Sequence, residues 1–275
     1  MSVSVTIARY GAAVLMTAGL FAGTIATASD TPDPGGTREG ILEEVGERGE
    51  WIPLFDGETL DGWSTKAVPE DQDYTWWRVV DGAIEANSME RGDHDYVWLY
   101  SEEEFDDFVL RMKFQAFRDS PGNSGVQIRS RYDETDEGGW LNGPQIDIHP
   151  PGPWRTGMIW DETRGNQRWL YPETLEDGWV NESMAVDGVE FYYADDEPAW
   201  NSLEITAVGA KLQAVLNGVK VMEYDGAGVL DDENHQAHGA GLDGHLALQI
   251  HSGDRLRIRF KDIVIQPLSI ESESE

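Results

Sequence analysis

The chain has 275 residues, 52 acidic against 20 basic side chains, a formal charge of -32, and no cysteine. Such a charge repels nucleic acid and anionic membrane surfaces, and the missing thiols exclude disulfides and leave only oxygen and imidazole to hold a metal. Its length allows one large domain or two small ones, its hydrophobic content of 40% is enough for a core, and its 11 tryptophans suit either sugar stacking or a packed core.

Residues 1–28 read as a secretory signal, with Arg9 ahead of an apolar run from Gly11 to Ala26 and a small-residue cleavage site at Ala26-Thr27-Ala28. This predicts a periplasmic or secreted mature protein, starting at Ser29 and not inserted in a membrane. A retained anchor helix is the alternative, although the run is short for a span. Residues 29–50 are expected to be a flexible acidic leader, 51–268 a single domain, and 269–275 an acidic tail.

Within the domain, short strands follow one another. Trp77 to Val80 and Ala83 to Ala86 flank Asp81-Gly82, a hairpin signal. Segment 107–117 alternates, with Phe108, Leu110, Met112 and Phe114 on one face; segments 125–131 and 203–208 alternate as well. Residues 211–216 and 219–223 flank Asn217-Gly218, a second hairpin, and 245–251 and 255–265 complete the set. A short helix is conceivable only at 101–106. Many short strands of period two predict an all-β sandwich or jelly roll.

Gln145-Ile146-Asp147-Ile148-His149 places Gln145, Asp147 and His149 on one face of a strand, with both isoleucines on the other. Leu248-Gln249-Ile250-His251 repeats the arrangement, and 125–131 adds Gln127, Arg129 and Arg131. Glutamine, histidine, arginine and a lone aspartate bind sugar hydroxyls, polarise carbonyls or ligate a hard metal. The plainer reading is a polar outer sheet with two hydrogen-bonded histidines. Asn123-Ser124-Gly125 reads equally as a binding loop or a turn. Trp154, Trp160 and Trp169 serve as stacking platforms or as packing, and 161–165 as a wall or lid. His94, His235 and His238 fall in Gly/Asp-rich loops and are expected to be solvated. The absence of a phosphate loop or dinucleotide fingerprint gives no expectation of an organic cofactor.

Several blocks taken in order carry a family resemblance. Leu54-Phe55-Asp56-Gly57-Glu58-Thr59-Leu60-Asp61-Gly62-Trp63 is similar to the opening LFDGxTLxGW of the 3-keto-disaccharide hydrolase domain family. Trp77-Arg78-Val79-Val80-Asp81-Gly82, the pair Phe105 to Leu110 and Gly122-Asn123-Ser124-Gly125-Val126, Thr156-Gly157-Met158-Ile159-Trp160-Asp161-Glu162, and blocks around Trp200, Asn217, His251 and Phe260 also resemble it. The resemblance covers about 51–268. Two departures stand out: by strand parity Gln145 takes the place of a usual glutamate and Asp147 that of a glutamine, and Trp160 replaces a usual tyrosine.

The resemblance implies a concanavalin-like jelly-roll sandwich of two antiparallel sheets that cleaves 3-keto-glycosides. The keto group acidifies the C2 proton; a base removes it, the C1 group leaves, and water adds back. On this reading Asp147, His149 and His251 are the catalytic set, with Asp147 and His149 as base or as ligands to a divalent ion such as Ca, Mn or Mg. Asn123, Arg129, Gln145, Trp160, Glu204 and Gln249 then contact the carbohydrate. Two other readings compete: a non-catalytic carbohydrate-binding module, and a glycosidase whose paired acids, Asp147 and Glu204, would need to stand about 5–9.5 Å apart.

Overall fold

The computed structural model describes residues 41, 45–120, 122–136, 138–174 and 178–270, all within one compact unit, 34–275. The expected signal at 1–28 lies outside the described residues, as do 29–40 and 271–275.

The strands are β1 (Val45–Arg48), β2 (Ile52–Pro53), β3 (Trp63–Ala67), β4 (Trp77–Val80), β5 (Ala83–Asn87), β6 (Val97–Phe105), β7 (Phe108–Ala116), β8 (Ser124–Asp133), β9 (Trp140–Asn142), β10 (Pro144–Ile148), β11 (Ile159–Asp161), β12 (Arg168–Tyr171), β13 (Asn201–Val208), β14 (Lys211–Leu216), β15 (Val219–Asp225), β16 (Gly244–Ile250) and β17 (Arg257–Ile270). One short helix, α1 (Glu233–His238), precedes β16. The first sheet runs β15-β14-β13-β7-β17-β5-β4, with β1 and β2 also on β17. The second runs β12-β11-β10-β8-β16-β6-β3, with β9 on β8. The two sheets make the expected antiparallel sandwich. Its core is formed by Phe108, Leu110, Phe114, Ile205 and Phe260 of the first sheet with Val126, Ile128, Ile146, Ile148, Leu248 and Ile250 of the second. Each such side chain, fully buried, contributes about 1.5–3 kcal/mol of hydrophobic stabilisation.

Both predicted hairpins form, because Asp81 and Asn217 adopt the positive φ their turns require, 52° and 49°. The helix expected at 101–106 does not form. Ser101 pairs with Trp63 across β6 and β3, and Glu104 is drawn to Arg131, so the acidic run ends a strand. The flexible leader expected through residue 50 is also shortened. Val45–Arg48 pairs with β17, and buried Ile41 packs with Val109, Val208 and Leu268. Likewise, β17 runs on to Ile270, into the expected tail. His94 and His235 are buried rather than solvated, at 4% and 0% exposure. Among the described residues no helix is long and apolar enough to cross a membrane.

One irregularity decides where a predicted ligand goes. On β16 His245 pairs with Ser130 and Ala247 with Gln127, so Ile128 and Arg129 together oppose the single residue Leu246. This is a β-bulge, and Arg129 sits in it at φ 48°. Alternation is broken there, and Arg129 leaves the face that carries Gln127.

Candidate functional site

The second sheet presents a polar face away from the core. Strand alternation sends Ile146, Ile148, Val126, Leu248 and Ile250 inward and turns Gln145, Asp147, Gln127 and Gln249 outward. The register then brings these together: Gln145 lies opposite Gln127 on one side and Trp160 on the other, Gln127 opposite Ala247, and Gln249 opposite Trp98. Gly125 makes this floor possible. A Cβ there would meet Gln145 Cδ at 2.5 Å, so the glutamine side chain lies where any other residue would stand.

The floor is closed to solvent, with Gln127, Gln145, Gln249 and Trp98 at 0–2% exposure. Gln127 Nε2 donates to Leu141 O at 3.1 Å and Gln249 Nε2 to Glu162 Oε1 at 3.3 Å. These bonds fix the orientation of both amides. The Oε1 atoms of Gln127, Gln145 and Gln249 have no partner, nor do the indole N–H groups of Trp98 and Trp169. An unpaired buried polar atom costs about 1–3 kcal/mol, so the three amide oxygens of neighbouring strands β10, β8 and β16, with the Trp98 N–H across from Gln249, suit a ligand rich in hydroxyls.

Aromatic rings wall the floor on two sides. Tyr96 stacks on Trp98 at 5.6 Å and meets Trp140 edge-on at 5.1 Å. Opposite them Trp160 packs against Trp169 at 5.3 Å, and exposed Trp179 touches both. Faces of this kind accept the C–H surface of a sugar ring.

The ionisable groups stand between these walls. Glu162 is 3% exposed, and burial pushes its carboxyl up to about 7, against the smaller opposing effect of hydrogen bonds from Gln249 and Trp160. Its backbone is fixed, since its N–H donates to Gly143 O and its carbonyl accepts from Trp140 Nε1 at 2.7 Å. Asp147 is clasped by Arg155, Nε to Oδ2 at 2.6 Å, with a second, longer bond of 3.4 Å. Burial raises the Asp147 carboxyl above its ordinary value, and Arg155 opposes the rise. Burial and then Arg155 push the His149 imidazole down, so it is uncharged at neutral pH. His251 Nε2 lies 3.0 Å from the Tyr96 hydroxyl, and its Nδ1 lies 3.0 Å from Ser252 O. Burial, together with the carboxylates of Glu162, Asp95 and Asp254, pushes the Tyr96 phenol up. Asp147 lies opposite Gly125 on β8, and the His251 N–H donates to Asn123 O just before that strand, so Asp147, His149 and His251 stand at the same end of β8.

A family described as the 3-keto-alpha-glucoside-1,2-lyase-like domain matches residues 50–266. The chain belongs to this family. As a 3-keto-alpha-glucoside-1,2-lyase-like domain it is a carbohydrate-active protein. None of the curated proteins matches it. Solved structures similar to it include two provisionally named glycosyl hydrolases from Parabacteroides distasonis. One has 20% identity and a TM-score of 0.48, covering 80% of this chain and 94% of that one. The other has 19% identity and a TM-score of 0.46, covering 80% and 100%. A carbohydrate-binding module from Bacillus subtilis shows 13% identity and a TM-score of 0.43, covering 74% and 93%.

Of the residues predicted from the sequence of this lyase-like domain, Gln145, Asp147, Trp160 and Gln249 share the outer face of the second sheet, and His149 and His251 follow at the ends of β10 and β16. Asn123 borders them: its carbonyl accepts from the His251 N–H, and its side chain caps Ser124. Two predictions are corrected. Arg129 is fully buried, and its guanidinium bonds Asp106 O, Gly209 O and Asp107 Oδ1 near the Phe108 ring, bolting turns of both sheets together. Glu204 lies on the outer face of the first sheet, 2.7 Å from Arg111, because its neighbours Leu203 and Ile205 enter the core. Asp147 and Glu204 therefore cannot act as a pair across one sugar.

The expected metal also fits poorly. Arg155 occupies the Asp147 carboxylate, and among the described residues no group of three His, Asp or Glu stands ready to hold an ion. Sequence reasoning treated Glu162 as part of a wall. Its signal was parity, since it lies two residues beyond Trp160, the cross-strand partner of Gln145. Tyr96 carried no such signal. Two open hollows, one with Tyr74, Arg78 and Arg257 and the other with Lys113, Trp200 and Lys261, lie on the other sheet and contain no histidine.

Proposed function

We propose that this domain cleaves 3-keto-glycosides by removing the C2 proton, with Glu162 as the base. The observation that carries the reading is a carboxyl 3% exposed and bonded by Gln249, beside a floor of unpaired amide oxygens, with burial pushing it up to about 7. A base is most useful when its pKa lies near the working pH. The C2 proton passes to Glu162, and its bonding electrons form C2=C3 with negative charge on the C3 oxygen. The unpaired indole N–H of Trp98, across from Gln249, is a buried donor available to that oxygen. As the charge returns, C1=C2 forms and the C1–O bond breaks. The leaving oxygen takes a proton from the Tyr96–His251 pair, whose atoms stand 3.0 Å apart. Addition of water, with hydroxyl to C1 and proton to C2, completes a net hydrolysis. Gln127, Gln145 and Gln249 accept hydrogen bonds from sugar hydroxyls. The Asp147–Arg155 pair holds the end of β10, beside His149.

The test is incubation of the purified protein with a 3-keto-glucoside and with the unoxidised glucoside, with and without EDTA. Release of aglycone from the keto sugar alone, insensitive to EDTA, is expected. Binding of either sugar without product overturns the catalytic reading and favours a carbohydrate-binding module. Export to the periplasm or exterior belongs to the same proposal, and N-terminal sequencing of the mature protein checks it.

A further inference from the structure

Behind Glu162 lies a buried charged cluster that the chemistry above does not use. Adjacent residues of an extended strand point to opposite sides, so Asp161 faces away from the site that Glu162 enters. There Asp161 Oδ2 meets His235 Nε2 at 3.2 Å, and His235 Nδ1 meets Asp232 Oδ1 at 2.9 Å. The His235 and Asp161 side chains have no exposed surface. The first contact is close but not aligned as a hydrogen bond, and neither atom has another partner. It is a close charge contact, in which Asp161 on one side of the ring and Asp232 on the other favour the protonated imidazole. Burial opposes charge on His235, and Asp161 and Asp232 overcome it, holding the imidazole above its ordinary value. Those two carboxylates are the charged groups that face the ring. Tyr224 of β15 lies within electrostatic reach of Asp161 and Arg168.

The same helix end grips the rest of the Glu162 loop. Asp232 caps α1 and also accepts from Asn166 Nδ2 at 3.1 Å, while Asn234 Nδ2 donates to Arg164 O at 2.8 Å. Asp161 Oδ1 accepts from the Thr163 N–H, and the Arg164 guanidinium lies 3.7 Å from the Trp140 ring centre. Residues 161, 164 and 166 are thus each tied to 232–235, and Glu162 stands between the first two ties.

We propose that His235 is a positioning residue for Glu162: its imidazolium, held between Asp161 and Asp232, fixes the loop and neutralises the carboxylate next to the base. The proposal rests on Glu162 acting as that base. Removing the positive charge leaves Asp161 unbalanced beside Glu162 and raises the pKa of Glu162 further.

The test follows the Glu162 carboxyl by carbon-13 NMR across pH in the wild type and in His235→Gln, alongside kcat and KM on a 3-keto-glucoside. The variant is expected to move the Glu162 midpoint up by about half a pH unit or more. It should also lower kcat roughly tenfold with KM within about threefold, and shift the rising limb of the pH–rate profile by the same interval. An unmoved Glu162 midpoint in folded His235→Gln overturns the proposal. Should that variant fail to fold, the smaller neutral His235→Asn takes its place and must shift the Glu162 midpoint in the same direction; no shift again overturns the idea. Because the NMR measurement needs no substrate, a wild type inactive on keto sugars would sink the catalytic reading while still deciding this one.

Discussion

Replacing Glu162 by glutamine keeps the shape of the side chain and removes its titration, which separates its cost to the fold from its use in the site. In the fold the carboxyl titrates at about 7 against an ordinary 4.5, because burial penalises the charged form. At about 1.4 kcal/mol per tenfold change in proton affinity, that gap is worth roughly 3 kcal/mol as an upper bound. The sign follows from proton counting. Between pH 4.5 and 7 the folded state holds the proton and the unfolded chain does not, so stability falls as pH rises through that window. Urea unfolding of wild type and Glu162→Gln at pH 4.5 and pH 8 is the assay. The wild type should lose up to about 3 kcal/mol more than the variant over this range, making the variant the more stable protein at pH 8. The same substitution should abolish turnover of a 3-keto-glucoside. Equal pH dependence of stability in the two proteins would refute the claim that this carboxyl is buried without a compensating cation.

Gln145→Leu fills the same space and removes an unpaired acceptor; stability should change by less than about 1 kcal/mol while sugar affinity, measured by calorimetry, falls roughly tenfold. Gly125→Ala puts a Cβ 2.5 Å from Gln145 Cδ; it should cost about 1–3 kcal/mol on unfolding and weaken binding by displacing that side chain. Arg129→Met leaves Asp107 without its buried partner; a loss of about 3–5 kcal/mol is expected in denaturant unfolding, with KM unchanged in the protein that remains folded. In pH–rate measurements on the wild type, kcat/KM should rise with pH through about 7, as Glu162 loses its proton.

Much of the site was legible because strand alternation is local. The spacing of Gln145, Asp147 and His149, and of Gln249 and His251, needed only the pleat to place them on one face, and β10 and β16 both flank β8 in the sheet. The same rule failed at Arg129, because the extra residue that reverses the alternation of β8 shows itself only in its pairing with β16. It failed differently at Glu204, whose outward orientation was readable but whose sheet was not; which sheet a strand joins is set by long-range pairing. Glu162 escaped notice because β11 has three residues, too short a run to display a period against the surrounding glycines and prolines. His235 looked like a loop histidine, since its carboxylate partner Asp161 lies 74 positions earlier in the chain.

The inserted residue in β8 has an electrostatic effect on the opposite face of the sheet. Had the strand run on evenly, a guanidinium would stand two places from Gln127 among the amides, within reach of Glu162. A fixed cation there would draw that carboxyl back toward ordinary acidity and leave it a feeble proton acceptor at neutral pH. By sending Arg129 to tie two turns at the rim of the sandwich, the chain keeps that guanidinium off the face that carries Gln127, and on the proposed reading this leaves Glu162 basic enough to take a proton from carbon.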